Sequence, residues 1–266
     1  ITYLTPDDQE KLSKPLSDSI GWRSIRRRNL GYLKAYQMGA DIMATVDDDN
    51  IPLENWGKEL FVGKKIEVDY YETELPVFDP ISVTEHKELW HRGFPLQLVS
   101  KRSINSVSKK EVNCLVQADF WNGDPDIDAM CRLTQKPICK FNVTGPFAAD
   151  KPSPFNSQNT FIHRDALKHY AVWPYVGRMD DIWGGYYAQR MIGPDKLIYN
   201  RASVYQDRNV PKSLLKRIDD AEKAGDLDDI GSLELIVENS PEYKSYLESL
   251  PRQQTITQIK GKQNRA

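Results

Sequence analysis

Long apolar stretches are missing from this sequence. No run approaches the ~20 residues that a helix needs to cross a bilayer, so no transmembrane segment is expected in its 266 residues. A surplus of either charge is missing too. Lys and Arg number 36 against 38 Asp and Glu, a formal charge of −2 that gives no global attraction to nucleic acid or to an anionic membrane, and nucleic acid is not expected as a partner. Cysteine is scarce: Cys114, Cys131 and Cys139 are an odd set without a CxxC spacing, read as reduced thiols of a cytoplasmic protein. The histidines, His86, His91, His163 and His169, lack metal-ligand spacing. An initiator Met and a signal-peptide pattern are also missing, since the chain begins at Ile1. It reads as a trimmed or processed chain, with the Golgi lumen as the alternative compartment in that case.

What is there suits a globular protein. Apolar residues make up 39% and charged residues 28%, and the length allows one large domain or a domain with an appendage. Six Trp and thirteen Tyr offer flat surfaces for sugars or bases, although most are expected in the core. Asn142-Val143-Thr144 matches a glycosylation sequon, a pattern short enough to arise by chance.

Along the chain, Ile1–Leu4 reads as a strand end, and Thr5-Pro6 as the cap and first turn of a helix. A second helix is predicted over Asn29–Met38, ended by Gly39, and a strand over Asp41–Val46. A helix over 54–62, a strand over 63–72 and a turn-rich stretch over 76–110 follow. Further strands are predicted at Asn113–Phe120, twice within 137–162 and at Leu197–Tyr205, with a helix over Asp180–Met191. This alternation argues an α/β domain over 1–210. Beyond Pro211 the composition shifts to helix formers and charges, which predicts a helical C-terminal extension over 211–266 with a polar, disordered end.

The densest chemistry lies in "ATVDDDNIP", where Asp47, Asp48 and Asp49 leave a strand. Ligand sites in open α/β sheets lie outside the carboxyl ends of strands, and adjacent carboxylates repel unless a positive charge sits between them. Mg²⁺ or Mn²⁺ meets that need with one or two carboxylates plus substrate phosphates. The bland alternative is a solvated acidic turn. Upstream, "IRRRNLG" places Arg27, Arg28 and Asn29 at a helix start, where cations, amides and the helix dipole suit an anion. The two features together point to a nucleoside-diphosphate site.

"RRNLGYLKAYQMGADIMATVDDDNIP" resembles the nucleotide-sugar-binding half of GT-A glycosyltransferases, in which an Arg-Asn-x-Gly helix precedes a strand ending in Asp-x-Asp. "LWHRGFPLQL" and "RMDDIWGGYYAQ" are similar to segments of the plant reversibly glycosylated polypeptides, the UDP-arabinopyranose mutases. "VYQDRNVPKSLLKRIDD" is closer to the STELLO-type glycosyltransferases. The likeness runs from about residue 21 to about 220 and implies a GT-A-like, Rossmann-type mixed sheet flanked by helices. It implies Asp47 and Asp49 as metal ligands, Asp48 sharing their tasks, and Arg28 on the diphosphate or the aspartates. Arg92 falls at the arginine glycosylated in the mutases, and Asp180 and Asp181 at the acidic pair that supplies the catalytic base of inverting enzymes. Val99 stands at the mutases' second arginine, and Gln206 or a neighbour near their histidine; both departures weaken the mutase reading, and the STELLO-type likeness survives them. GT-A domains place about a hundred residues before Asp-x-Asp, so the expectation is either that the first strands are missing here or that the fold is abbreviated.

The expectation is a metal-dependent glycosyltransferase using a nucleotide sugar, with UDP as leaving group, Mn²⁺ or Mg²⁺ as cofactor, and a glycan, lipid or protein as acceptor. The alternatives are a UDP-sugar mutase or self-glycosylating protein, and a catalytically silent scaffold. Trp90, Phe94, Trp121 and Trp183 are candidates for excluding water or stacking on sugars, each expected more in the core than at a ligand. Asp124, Asp126 and Asp128 read as a turn and helix start, with Asp119 or Asp124 a weak acceptor-site candidate. The bland alternative for Arg92 is a pairing with Glu85 or Glu88.

Overall fold

The computed structural model describes residues 3–207, apart from Lys136. The chain divides into one unit of Ile1–Tyr175 with Met179–Asn209 and another of Val176–Arg178 with Val210–Ala266. Every strand and α-helix among the described residues belongs to the first. The expected extension over 211–266 lies outside the described residues, as do Ile1 and Thr2 of the expected strand end, whose Tyr3 and Leu4 are not in a strand.

Local signals account for the first elements. Thr5 caps α1 (Pro6–Leu12) by accepting from the Asp8 amide, and the Asp8 carboxylate accepts from the Thr5 amide in return, a reciprocal capping box. Ser13 caps α2 (Lys14–Ile20), a helix the sequence reading did not anticipate. A 3-10 turn, Ile25–Arg27, leads into α3 (Arg28–Gln37), and then come β1 (Ile42–Val46) and β2 (Asn50–Pro52). The helix expected over 54–62 is instead a series of turns, because Gly57 takes a left-handed φ of 70° that interrupts helical hydrogen bonding.

The remaining elements are β3 (Lys65–Glu72), β4 (Ser106–Asn113), β5 (Val116–Gly123), α4 (Ala129–Gln135), β6 (Phe147–Ala149), β7 (Asn159–His163), α5 (Arg164–Leu167), α6 (Asp180–Ile192) and β8 (Leu197–Gln206). Asn113 ends β4 instead of opening β5. Most of β4 is exposed, so it lacks the alternation by which a half-buried strand is read.

The strands form one mixed sheet in the order β1-β7-β5-β8-β6-β3-β4, with β2 against β8. This α/β arrangement, with helices packed beside the sheet, is consistent with a GT-A-like, Rossmann-type fold. Strand β7 runs antiparallel to both β1 and β5, and β5 runs parallel to β8. The carboxyl ends of β1, β5 and β8 therefore share one edge with the amino end of β7. Successive residues along a strand face opposite sides, which builds two cores. Leu197, Tyr199, Phe147, Ala149 and Ile162 enter one; Ile198, Ala148 and Phe161 enter the other. Among the described residues no helix is long and apolar enough to cross a membrane.

Helix α6 carries two consecutive glycines, at about 1 kcal/mol each in helix propensity relative to Ala. A Cβ on Gly184 would lie 2.0 Å from the Ala171 carbonyl oxygen, and one on Gly185 3.0 Å from the Phe155 ring. The glycines thus let α6 dock against backbone, which fixes its amino end, Asp180 and Asp181. Gly184→Ala is expected to destabilise the unit by about 1–3 kcal/mol in urea unfolding. A gain of stability, as propensity alone predicts, would contradict this close approach.

Candidate functional site

The shared strand edge collects Asp47–Asp49 after β1, the loop 124–128 after β5 and the turn 156–158 before β7, and the amino ends of α3 and α6 add Arg28 and Asp181. Arg92 arrives from the long insertion between β3 and β4. A buried ion pair organises that insertion: Arg102 Nη1 lies 2.7 Å from Asp79 Oδ2 and donates to the Leu89 carbonyl at 2.6 Å. Asp79 Oδ1 also accepts from the amides of Ile81 at 3.1 Å and His91 at 3.3 Å. A bridge between His91 and Ile127 then sets Arg92 beside Asp126. Gly93 follows at φ 92°, and a Cβ there would meet Ile182 Cγ2 of α6 at 2.4 Å. Only glycine lets the loop lie so close to that helix.

The Arg92 guanidinium is held on two sides. Nε donates to Asp126 Oδ1 and Oδ2 at 3.0 and 2.9 Å, while Nη1 and Nη2 donate to Asp181 Oδ1 and Oδ2, each at 3.0 Å. The pairing expected with Glu85 or Glu88 does not form; His86 sits beside those two at 3.7 and 3.6 Å. Asp126 also accepts from Asn156 Nδ2 at 2.6 Å. Asp181 accepts from the Ser157 amide at 3.0 Å and Ser157 Oγ at 3.2 Å. Ser157 in turn accepts from Arg28 Nη1 at its carbonyl and its hydroxyl, both at 2.9 Å, and Arg28 Nη2 pairs with Asp47. Arg28, Asp47, Ser157, Asp181, Arg92, Asp126 and Asn156 thus form one continuous network.

The other aspartates of the triplet are less committed. Asp48 is exposed. Asp49 is half-buried, and its Oδ1 is shielded from solvent with no hydrogen-bond partner. A buried carboxylate oxygen without a donor is costly, and a cation is one group that would satisfy it. Among the described residues no group of three or more His, Cys, Asp or Glu side chains is placed to hold a metal ion. A cation here would complete its oxygen shell from ligand and water, as Mg²⁺ commonly does.

Several sequence candidates lie apart from this network. Arg27 bonds Gln9 Oε1 at 2.7 Å, Ser17 Oγ at 3.0 Å and the Gly21 carbonyl at 3.2 Å. The Asn29 amide is paired both ways with the Val172 backbone at 2.8 Å. Both side chains brace α3, so of the three residues at its start Arg28 alone reaches the aspartates. Asp119 is 4% exposed and bonded to Gln117, which removes it as an acceptor contact. Asp124 pairs with Arg132, and Asp128 Oδ1 caps α4 through the Met130 amide at 2.9 Å, as expected of a helix start. Phe94 and Trp121 are core, whereas Trp183 is exposed. Asp126, Asn156 and Ser157 were not anticipated as site residues. Their signal is a run of short polar residues next to a strand end, visible only once the strand order is known.

Electrostatics separates the acidic pair. Asp180 is half-buried, and burial followed by the Asp181 charge pushes its carboxyl up, while its Oδ1 accepts from the Asp181 amide at 3.0 Å. Burial also pushes Asp47 up, with Arg28 pulling it back only in part. Burial opposes the Arg92 charge, but Asp126 and Asp181 more than restore it.

No family model matches the sequence. Two curated plant proteins are similar to it: "Probable glycosyltransferase STELLO1" and "Probable glycosyltransferase STELLO2" from Arabidopsis thaliana, each 26% identical over 211 aligned positions that cover 71% of this chain. The chain is thus related to the STELLO-type proteins, and it spans about a quarter of their length (27% and 28%).

Two outcomes follow from the buried charges. Arg92→Ala strands two buried carboxylates and is expected to cost about 3–5 kcal/mol in urea unfolding; a loss below 1 kcal/mol would show that the clamp is not structural. Burial raises Asp119 from an ordinary 3.8 to about 6. The native state therefore binds more protons than the unfolded chain across that window, and stability falls as pH rises through it. The rise corresponds to about 3 kcal/mol. Asp119→Asn should accordingly raise the melting temperature at pH 8 and have little effect near pH 4, whereas a uniform loss at both pH values would exclude this account.

Proposed function

We propose that this unit is a metal-dependent glycosyltransferase that moves a sugar from a nucleoside diphosphate, UDP being the first choice, to an acceptor hydroxyl. The observation that carries the reading is the aspartate triplet at the carboxyl end of β1, joined to Arg28 at the start of α3, with Asp49 Oδ1 buried and unpartnered. The names of the two plant relatives support the same chemistry. So does the charge of the site. Asp47, Asp48 and Asp49 leave β1 side by side and repel a diphosphate that enters without a cation.

Asp49, with the second oxygen of Asp47, would hold Mn²⁺ or Mg²⁺. When bound, the cation neutralises the diphosphate and the charge that develops on it as the glycosidic bond breaks. Arg28 holds Asp47 in place and adds a fixed positive charge beside the leaving group. Asp181 is occupied by Arg92 and Ser157, so its role is to orient those groups. Asp180 keeps a less committed carboxylate whose raised proton affinity suits a general base for the acceptor hydroxyl. Arg92 is clamped by two carboxylates, which favours transfer to an outside acceptor over glycosylation of Arg92 itself.

Calorimetric titration of the chain with UDP and with GDP, each with Mn²⁺ and with EDTA, tests the donor site. One nucleotide should bind in the micromolar range only with metal, and Asp49→Ala should abolish that binding. Asp180→Asn should leave nucleotide binding intact and lower turnover about 10²–10⁴-fold. Metal-independent binding, or none of either nucleotide, would overturn the donor-site reading.

A further inference from the structure

Trp22, Arg23, Arg26 and Tyr175 form a surface patch that the donor chemistry does not use. Gly21 closes α2 at φ 68° and ψ −179°, a conformation open essentially to glycine alone. Arg23 follows at φ 55°, and Tyr175 lies at φ 67°. Among the described residues these are the two non-glycine positions with positive φ, and both fall in this patch. Such conformations are unfavourable for side-chain-bearing residues and recur at ligand clamps.

The contorted turn presents Trp22 in a fixed pose. The Arg27 guanidinium lies 3.6 Å from the ring centroid and is itself tied to Gln9, Ser17 and Gly21. Trp22 remains 51% exposed, so one ring face is backed and the rest is open to solvent. Tyr175 is 91% exposed, with the Arg26 guanidinium 6.0 Å from its centroid. Arg26 spends only Nε on a side-chain partner, Ser24 Oγ at 2.8 Å, and Arg23 has no hydrogen bond or ion pair among the described residues. Glu10 and Asp18 pair with Lys14 at 3.2 and 3.0 Å and form no ion pair with Arg23 or Arg26.

We infer that this patch binds an acidic glycan, a chain of pyranose rings bearing carboxylates. An exposed aromatic ring held rigidly offers the flat apolar face on which a pyranose C–H surface packs, with little entropy left to lose. A guanidinium pairs a carboxylate in a planar, two-point contact. Two open cations in a chain of net charge −2 make a weak field for a polyphosphate, which favours a carboxylated sugar over nucleic acid. Arg26 and Arg27 precede Arg28, and Tyr175 precedes Asp180 by a few residues, so the segments that carry the patch lead into both halves of the proposed centre. Its assignment as the acceptor subsite rests on the glycosyltransferase reading; its binding of acidic glycan does not.

The test is calorimetric titration of the full chain with trigalacturonic acid, with neutral maltotriose and a single-stranded DNA oligomer as controls. Trigalacturonate should bind at least about tenfold more tightly than either control. That binding should weaken about tenfold or more in Trp22→Ala and in the double variant Arg23→Gln/Arg26→Gln, and persist in Asp49→Ala, which removes nucleotide binding. Absence of trigalacturonate binding, equal binding of maltotriose, tighter binding of the DNA, or indifference to both variants would overturn the inference. If Trp22→Ala fails to fold, the arginine variant decides, since Arg23 is exposed and Arg26 gives up a single side-chain hydrogen bond, to Ser24. Glycan binding without metal-dependent nucleotide binding would sink the donor reading alone, and the converse would sink this inference alone.

Discussion

One half-buried guanidinium holds the site together. Arg92 joins the long insertion, the loop after β5 and the start of α6 through Asp126 and Asp181, and Ser157 extends the tie to Arg28 and Asp47. Desolvating three charges costs several kcal/mol per ion, and the geometry must return most of it. Two-point hydrogen bonds to each carboxylate do that, and the backbone and hydroxyl of Ser157 satisfy Asp181 further. An apolar substitute of equal volume would hold the loops as well. It would leave no fixed positive charge at the strand edge where the aspartates converge, so the arrangement spends stability on electrostatics.

The surrounding fold keeps that clamp in register. The Asp79–Arg102 pair closes the insertion upon itself, so Arg92 reaches the site on a braced loop instead of a free one. Gly93 lets that loop press against Ile182, and Gly184 lets α6 press against Ala171. Each concession, a glycine inside a helix or a buried ion pair, is locally unfavourable. Each brings a backbone or a charge nearer than an ordinary side chain would permit, and together they fix Asp180 and Asp181 relative to β1.

Features governed by neighbours in sequence were the ones legible there. The Thr5 cap, the strand ending at Val46, the helix opened by Asp180-Asp181 and the aspartate triplet all declare themselves within a few residues. The α/β domain could be read from their alternation, and the mixed sheet only from the family resemblance. Strand β4 escaped because its exposure hides the period of two, and β2, α2 and α5 because they are short. The site was legible to the same depth. Arg28, Asp47, Arg92 and Asp181 were nominated and lie in one network. Asp126, Asn156 and Ser157 were not, because their partners stand 24 to 129 positions away in the chain. Arg27 and Arg28 mark the limit of linear reading: adjacent and chemically identical, they diverge at the helix start, one bracing Trp22 and Gln9 and the other reaching Asp47.

The division between Asp180 and Asp181 follows from the same geometry. Two adjacent carboxylates at a helix start cannot both remain open, since like charges in a poorly hydrated place repel and raise each other's proton affinity. Here Arg92 and the Ser157 donors absorb the charge of Asp181. Asp180 has one amide donor at Oδ1, and burial followed by its neighbour's charge pushes its carboxyl up. A base is useful when it is anionic at rest and gains from protonation as the acceptor attacks. The clamp on Asp181 therefore reaches its neighbour: it fixes one negative charge beside Asp180, and that charge adds to burial in raising the Asp180 carboxyl.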